Sequence, residues 1–289
     1  MHAKLVATGV SKTFHRKRMP GAAPTAKAVD GVTISVAPGD FTAIVGESGS
    51  GKSTMARIML GLIEPDHDGG TVTYDGIPLS EMNRAQSMKF RSSVQCVLQD
   101  PSAALNPRKS VRQVLAEVVK LHGIATTKAD IEAKVHEALS IVDLTPTATY
   151  ADRYPHQLSG GQRQRVLIAR AVILNPAIII ADEAVSALDV SVKASILNLL
   201  GRLRRELNIG YLFITHDLPV VQKVADYVYV MKNGQVVEEA AKDELFANPK
   251  TTYTRELLAA APLPDPKLAR DWIRSTTPQT EAIGTALVD

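Results

Sequence analysis

The chain has 289 residues, 45% of them hydrophobic, with a formal charge of +3 and a single cysteine; that is enough to bury a sizeable core and excludes an internal disulfide or a cysteine-based metal cluster. Aromatic residues amount to 4%, too few for the stacking platforms on which single-stranded nucleic acid lies, so no nucleic-acid partner is expected. No apolar run reaches the roughly 20 residues needed to cross a bilayer, and Met1-His2-Ala3-Lys4 lacks the apolar core of a signal peptide, so a cytosolic setting is expected.

Leu5 to Val10 and Val32 to Val36 read as short strands joined by a polar loop from Lys12 to Lys27. Phe14, just inside that loop, could stack on an adenine face or close the edge of the small sheet. His15-Arg16-Lys17-Arg18 could approach phosphate or lipid headgroups, and reads more simply as a solvated charge run. The turn Pro38-Gly39-Asp40 then feeds an apolar strand, Phe41 to Val45, which leads into Gly46-Glu47-Ser48-Gly49-Ser50-Gly51-Lys52-Ser53-Thr54 and a helical run from Met55 to Leu60. Strand, loop and helix in that order are what the pattern G-x-x-x-x-G-K-[ST] requires. The glycines let successive N–H groups point inward, and the helix N-terminus adds partial positive charge at the same spot, so the loop reads as a polyphosphate cradle. Lys52 is expected between the β- and γ-phosphates and the Ser53 hydroxyl on Mg²⁺.

Thr71 to Tyr74 forms a further short strand, and Val94 to Leu98 another in which Cys96 is expected to be buried. Gln99 ends that strand before Asp100-Pro101, where it could reach Mg²⁺ and a water or be a polar terminus only. From Pro101 the texture is helical. Ser110 to Gln113 has the spacing of a capping box, with Val111, Val114, Leu115 and Val118 following at helical intervals up to Gly123. Ile131, Val135, Ala138, Leu139 and Val142 repeat the pattern. His122 and His136 are taken as ordinary surface or packing residues, without an acid or cysteine at ligand spacing.

Leu158-Ser159-Gly160-Gly161-Gln162 opens another helix, with Ser159 as N-cap and bare N–H groups forming a second anion site. Ile178-Ile179-Ile180-Ala181 reads as a strand buried on both faces that delivers Asp182 and Glu183 at its C-terminal end, where ligands of open α/β sheets gather. Asp182 is expected to hold Mg²⁺ through its waters and Glu183 to polarise the attacking water. Ser186 to Asp189 opens the next helix, and Tyr211 to Ile214 forms a core strand ending in Thr215-His216-Asp217, from which His216 could reach the γ-phosphate. Asn233-Gly234 marks a hairpin between Tyr227 to Met231 and Gln235 to Glu238. Tyr253 to Ala261 reads as helical, and the residues beyond Pro262 as partly ordered.

The set resembles the ATP-binding-cassette ATPases over nearly the whole chain: Gly46 to Thr54 as Walker A, Gln99 as Q-loop, Leu158 to Gln162 as signature motif, Ile178 to Glu183 as Walker B, Ser186 to Asp189 as D-loop and His216 as switch histidine. Gln99-Asp100-Pro101, Leu105-Asn106-Pro107-Arg108 and Thr252 to Leu258 look like the ATPase subunits of oligopeptide, dipeptide and nickel importers. The resemblance implies an α/β fold, a P-loop NTPase core with an N-terminal antiparallel β-subdomain and an α-helical subdomain. The layout it implies is residues 1–100 and 159–247 for the core, 101–158 for the helical part and 248–289 for a C-terminal extension.

It further implies ATP and Mg²⁺ as cofactors, with Ser53, Gln99 and Asp182 on the metal and Glu183, His216 and Gln99 in catalysis. Ser159, Gly160, Gly161 and Gln162 then act on the nucleotide of a second ATPase subunit, with Asp189 in the D-loop. Two membrane permeases are the remaining partners, an extracytoplasmic solute-binding protein an indirect one, and the place of action the cytoplasmic face of the membrane. Nickel, metallophore, opine or glutathione import is the alternative, and a soluble ATP switch without transport the rival of another class. Phe14 stands where tyrosine is more frequent, Ala184 where proline often follows the catalytic glutamate, and Thr252 where the C-terminal motif often has proline.

Overall fold

The computed structural model describes residues 4–14, 26–98, 101–186 and 188–260. In chain order the first elements are β1 (Leu5–Phe14), β2 (Ala26–Val36), β3 (Phe41–Val45), α1 (Lys52–Met59), β4 (Thr71–Tyr74), β5 (Ile77–Pro78), α2 (Arg84–Ser93) and β6 (Val94–Val97). Five helices follow: α3 (Pro101–Ala104), α4 (Val111–Leu121), α5 (Lys128–Ile141), α6 (Thr147–Ala151) and α7 (Gly160–Val172). The chain then returns to the sheet with β7 (Ile178–Asp182), α8 (Val190–Leu207), β8 (Gly210–Ile214), α9 (Leu218–Val224), β9 (Tyr227–Lys232) and β10 (Gln235–Ala241), and the described residues close with α10 (Lys242–Ala247) and α11 (Thr252–Ala260).

Two sheets result. The smaller is antiparallel, in the order β2-β1-β4-β5; the larger runs β10-β9-β3-β8-β7-β6, parallel throughout except for β10 at its edge. Every residue of β3 and β8 is buried, as expected of strands covered on both faces. On one face, Ile44, Ile180, Leu212 and Ile214 meet Met55, Ile58 and Met59 of α1 and the inner side of the small sheet; on the other, Ala43, Ile179 and Phe213 meet α7 and α8.

Strand β8 lies between β3 and β7, and Ile214 is level with both Ile44 and Asp182. The loop after β3 and the carboxylates ending β7 therefore emerge on the same edge.

Three expectations need correction. Lys12, Thr13 and Phe14 belong to β1 and pair with Val29, Lys27 and Ala26, so the connecting segment starts only after Phe14; residues 15–25, with the His15 to Arg18 run, lie outside the described residues. Ser11, Lys12 and Thr13 are half-buried in β1, so this end of the strand lacks the apolar alternation by which a strand is read. Helix α2 went unforeseen because it buries a single side chain, Phe90, whose ring meets Tyr74 at 5.5 Å, and one apolar residue makes no stripe. Its start is nevertheless written in the sequence, as the reciprocal capping box of Asn83 and Gln86. His136 does have an acid one turn away: its Nε2 lies 2.9 Å from Glu132, its Nδ1 lies 2.7 Å from the Thr147 hydroxyl, and Arg112 pairs with Glu132. The cluster ties α4, α5 and α6 together. Cys96 is half-buried rather than buried, and burial raises its thiol pKa.

The C-terminal helix is fastened by a buried acid. Glu238 of β10 accepts the backbone N–H groups of Lys250 at 2.7 Å and Thr251 at 2.9 Å. Burial by itself would raise its pKa, but these N–H donors and the hydroxyls of Thr254 and Thr251 outweigh it and hold the carboxyl down to about 2, from an ordinary 4.5. A carboxyl depressed in the folded state stabilises above its unfolded pKa and loses that stabilisation as pH falls toward its folded one. Glu238→Gln is thus expected to be less stable than the unmodified chain at pH 7 by roughly 2 kcal/mol. The gap should close between about pH 5 and pH 2, which paired urea titrations would follow; a constant gap across that range would mean that charge plays no part.

Candidate active site

The phosphate loop is shaped by two glycines in close quarters. A Cβ on Gly46, at φ 147°, would sit 2.1 Å from the Met231 carbonyl oxygen, and one on Gly51, at φ 106°, would sit 2.3 Å from that of Ala28. Neither position admits a side chain, so the loop lies directly on β2 and on the end of β9. Gly51 is the N-cap of α1 and offers no side-chain acceptor, which leaves the first-turn N–H groups of that helix without a partner of their own. Lys52 turns back into the loop: its ammonium donates to the carbonyls of Gly46 at 2.8 Å and Glu47 at 2.7 Å and to the Ser50 hydroxyl at 3.3 Å. Ser48 and Gly49 form the exposed rim, and Thr54 follows Ser53 in the first turn of α1.

Across from the loop, the Ser53 hydroxyl donates to Asp182 at 3.2 Å, and His216 Nδ1 stands 3.3 Å from the Glu183 carboxylate. Glu183 has φ 49°, a left-handed backbone that carries a cost of about 1–3 kcal/mol in a residue other than glycine or asparagine. Three bonds hold it there: its N–H donates to the Ile214 carbonyl at 2.8 Å, and its own carbonyl accepts the Ser186 N–H and hydroxyl. This twist ends β7 and turns the glutamate toward His216.

The charges are unbalanced in a telling direction. Burial pushes the Lys52 pKa down, partly opposed by the carboxylates of Glu183, Asp182 and Glu47. Burial likewise pushes Asp182 up, opposed by the Ser53 bond and by Arg57 and Lys52, while Glu183 adds to the rise. An anion beside Lys52 and a cation beside Asp182 would relieve both, so the loop fits a polyphosphate and the Ser53 and Asp182 oxygens fit a hard divalent cation.

The remaining sequence-derived residues divide into three groups. Gln99 lies outside the described residues. Phe14, 44% exposed, closes the end of β1 opposite Ala26, two residues from the Ala28 that touches Gly51. Ser159, Gly160, Gly161 and Gln162 open α7 in a reciprocal capping box, with the exposed Ser159 bonded to Gln162 and Arg163 and, among the described residues, to nothing in the phosphate loop. Asp189 is the exposed N-cap of α8, and its side chain makes no capping bond.

Two participants were missed. Lys193, on the first turns of α8, pairs with Asp217 at 2.6 Å and so links the segment after Asp189 to the one carrying His216. Tyr253 accepts the Glu47 N–H at 3.2 Å from the far end of the chain. Neither contact has a local signal, since 24 and 206 residues separate the partners.

A cleft of about 1030 Å³ lies elsewhere, around Gly39, Phe41 and the C-terminal half of α8 at the opposite end of the strands. Its Arg165, Arg202 and Arg204 are already engaged by Asp143, Asp226 and backbone carbonyls.

Comparison with known proteins gives the same picture. The oligopeptide transport ATP-binding protein OppF of Streptococcus mutans is 42% identical over 264 residues, covering 91% of this chain and 83% of that protein. The glutathione import ATP-binding protein GsiA of Salmonella paratyphi A is 46% identical over 244 residues, covering 84% of this chain but 38% of that longer protein. Among solved structures, the dimeric cassette MJ0796 matches with a TM-score of 0.69 at 30% identity, over 82% of this chain and 98% of that one. The family model described as ABC transporter matches residues 29 to 186. With more than half its length inside that model and its phosphate loop, Asp182 and Glu183 on one sheet edge, the chain belongs to the ABC transporter family.

Proposed function

We infer that this chain is the ATP-binding and ATP-hydrolysing subunit of an importer for oligopeptides or related solutes, acting at the cytoplasmic face of a membrane beside separate permeases. The observation that carries the chemistry is the pairing across the sheet edge: Ser53 with Asp182 on one side, and Glu183 with His216 on the other, both facing the loop that holds Lys52. Residues 46–54 grip the triphosphate, and Lys52 leaves its loop carbonyls to neutralise the β- and γ-phosphates. Ser53, Asp182 and Gln99 would hold Mg²⁺, which when bound would supply charge neutralisation. Glu183 orients the attacking water and accepts its proton, while His216 fixes the glutamate and reaches the γ-phosphate; phosphoryl transfer gains mainly from such positioning. Phe14 covers the adenine.

Ser159, Gly160, Gly161 and Gln162 serve the nucleotide of a second ATPase subunit, and Asp189 lies at the seam between the two. Support for pairing comes from the outward-facing, solvent-exposed Ser159 and from the dimeric state named for MJ0796. ATP shared by two subunits favours the closed dimer, and hydrolysis removes that preference. Residues 101–158 receive the permease, residues 1–100 and 159–247 form the ATP-binding core, and 248–289 extend it. Among the described residues no helix is long and apolar enough to cross a membrane; in this reading the permeases span it. Oligopeptides are favoured as cargo by the names of the first relatives, and the 46% identity to a glutathione import protein keeps small peptides such as glutathione as the second reading.

Two experiments test this reading. Affinity purification from native membranes should bring down two permeases; recovery of soluble partners alone would sink the transport reading. In a dimer with one site inactivated at Glu183, Ser159→Arg is expected to cut hydrolysis at least tenfold when it faces the intact site and to have little effect when it faces the dead one. Loss only when it faces the dead site would place Ser159 in its own protomer's site, and equal loss in both arrangements would mean that it acts on folding or pairing rather than on one nucleotide.

A further inference from the structure

The phosphate loop is held on its outer side by the C-terminal helix. Tyr253, on the first turn of α11, is 7% exposed, and its hydroxyl accepts the backbone N–H of Glu47 at 3.2 Å. Glu47 is the second residue of the loop, and its carbonyl is taken by Lys52 at 2.7 Å, so the residue is pinned from both ends of its backbone. The two pins do not share the same fate. The Lys52 ammonium has three N–H donors and three acceptors here, so each bond it makes to a phosphate releases one of them, whereas the tyrosine hydroxyl is an anchor that does not depend on Lys52.

The tyrosine is itself held in place. The Lys232 ammonium sits 4.2 Å from the centre of its ring. Lys232 ends β9, and in the turn that follows the Gly234 N–H donates to the Ser50 carbonyl at 2.9 Å, a third support for the same loop. Behind the ring, Glu238 grips the N–H groups of Lys250 and Thr251, and the Thr254 N–H donates to the Thr251 hydroxyl at 3.1 Å. The start of α11 thus has little freedom to carry the hydroxyl away from Glu47.

We propose that Tyr253 is a positioning residue of the nucleotide site: through the Glu47 N–H it keeps the outer turn of the phosphate loop in the shape that receives the triphosphate after Lys52 has swung inward. The proposal rests on the nucleotide reading above and adds to it a residue outside every motif of the loop and the carboxylate strand. A tyrosine that only filled space would do as well as phenylalanine, because the ring and its contact with Lys232 are kept.

Tyr253→Phe in the full chain separates the two roles. Loss of one neutral hydrogen bond in the bound state corresponds to about a fivefold weaker dissociation constant for Mg-ATP, with KM rising in step and kcat within about twofold. Hydrogen exchange of the amides of residues 46–51, measured without nucleotide, is expected to quicken in the variant while the thermal midpoint stays put. Tyr253→Leu, which also removes the ring from beneath Lys232, should weaken ATP binding further. Wild-type affinity together with wild-type exchange in Tyr253→Phe would overturn the proposal, and so would a lower thermal midpoint with unchanged affinity, the mark of a packing role. Failure of the unmodified chain to bind ATP at all would defeat the nucleotide reading first, and would be seen before any variant was made.

Discussion

Glu183→Gln is expected to keep ATP binding and to lower turnover at least 100-fold. The amide has the size of the carboxylate and retains an oxygen that can accept from His216, 3.3 Å away in the unmodified chain, so the arrangement at the end of β7 should persist. What disappears is the negative charge and the basicity that draw a proton from water, a contribution of the order of 10²–10⁴ in rate. Phosphate release under saturating Mg-ATP measures the loss, and equilibrium binding of labelled ATP measures what is kept. A variant turning over at more than a tenth of the normal rate would remove the glutamate from the role assigned to it. If this chain pairs with its own copy, the same variant should collect as an ATP-bound dimer on gel filtration, because the step that reopens it is blocked.

Lys52→Ala is expected to weaken Mg-ATP binding by 100-fold or more. A charge-assisted bond to phosphate is worth about 1.5–3 kcal/mol, and this ammonium serves more than one phosphate. Its surroundings add to the effect. The Lys52 ammonium is buried, its pKa is pushed down by that burial, and it now satisfies two loop carbonyls and the Ser50 hydroxyl. Removing it leaves those acceptors buried without a donor and leaves the excess charge of Asp182 and Glu183 unopposed. Titration calorimetry reads the affinity; a loss smaller than tenfold would mean that the backbone cradle alone holds the triphosphate. Lys52→Arg should not rescue, since the pocket formed by Gly46, Glu47 and Ser50 accommodates a single ammonium rather than a planar fork.

Most of the site could be read from the chain because its chemistry is local. The run Gly46 to Thr54 carries its glycines, lysine and serine within nine positions, and the Asp182-Glu183 pair announces itself by following four apolar residues. Caps were equally legible: Ser110 with Gln113 and Ser159 with Gln162 form the reciprocal bonds that their spacing implies. What escaped was long-range or conformational. The left-handed backbone of Glu183 arises from bonds to Ile214 and Ser186 rather than from its residue type. The pairing of Lys193 with Asp217 and the reach of Tyr253 to Glu47 exist only once the sheet has brought distant segments together. The short helix α2 escaped for a different reason, having almost no apolar face to betray it.

The unusual backbone at Glu183 has a wider implication for what this chain was shaped to do. Glycine or asparagine would sit in that twist at little cost, and a protein tuned only to endure heat would carry one of them. An acid just past the end of β7 therefore sets its backbone against durability, which is the outcome expected if Glu183 performs the hydrolysis proposed for it.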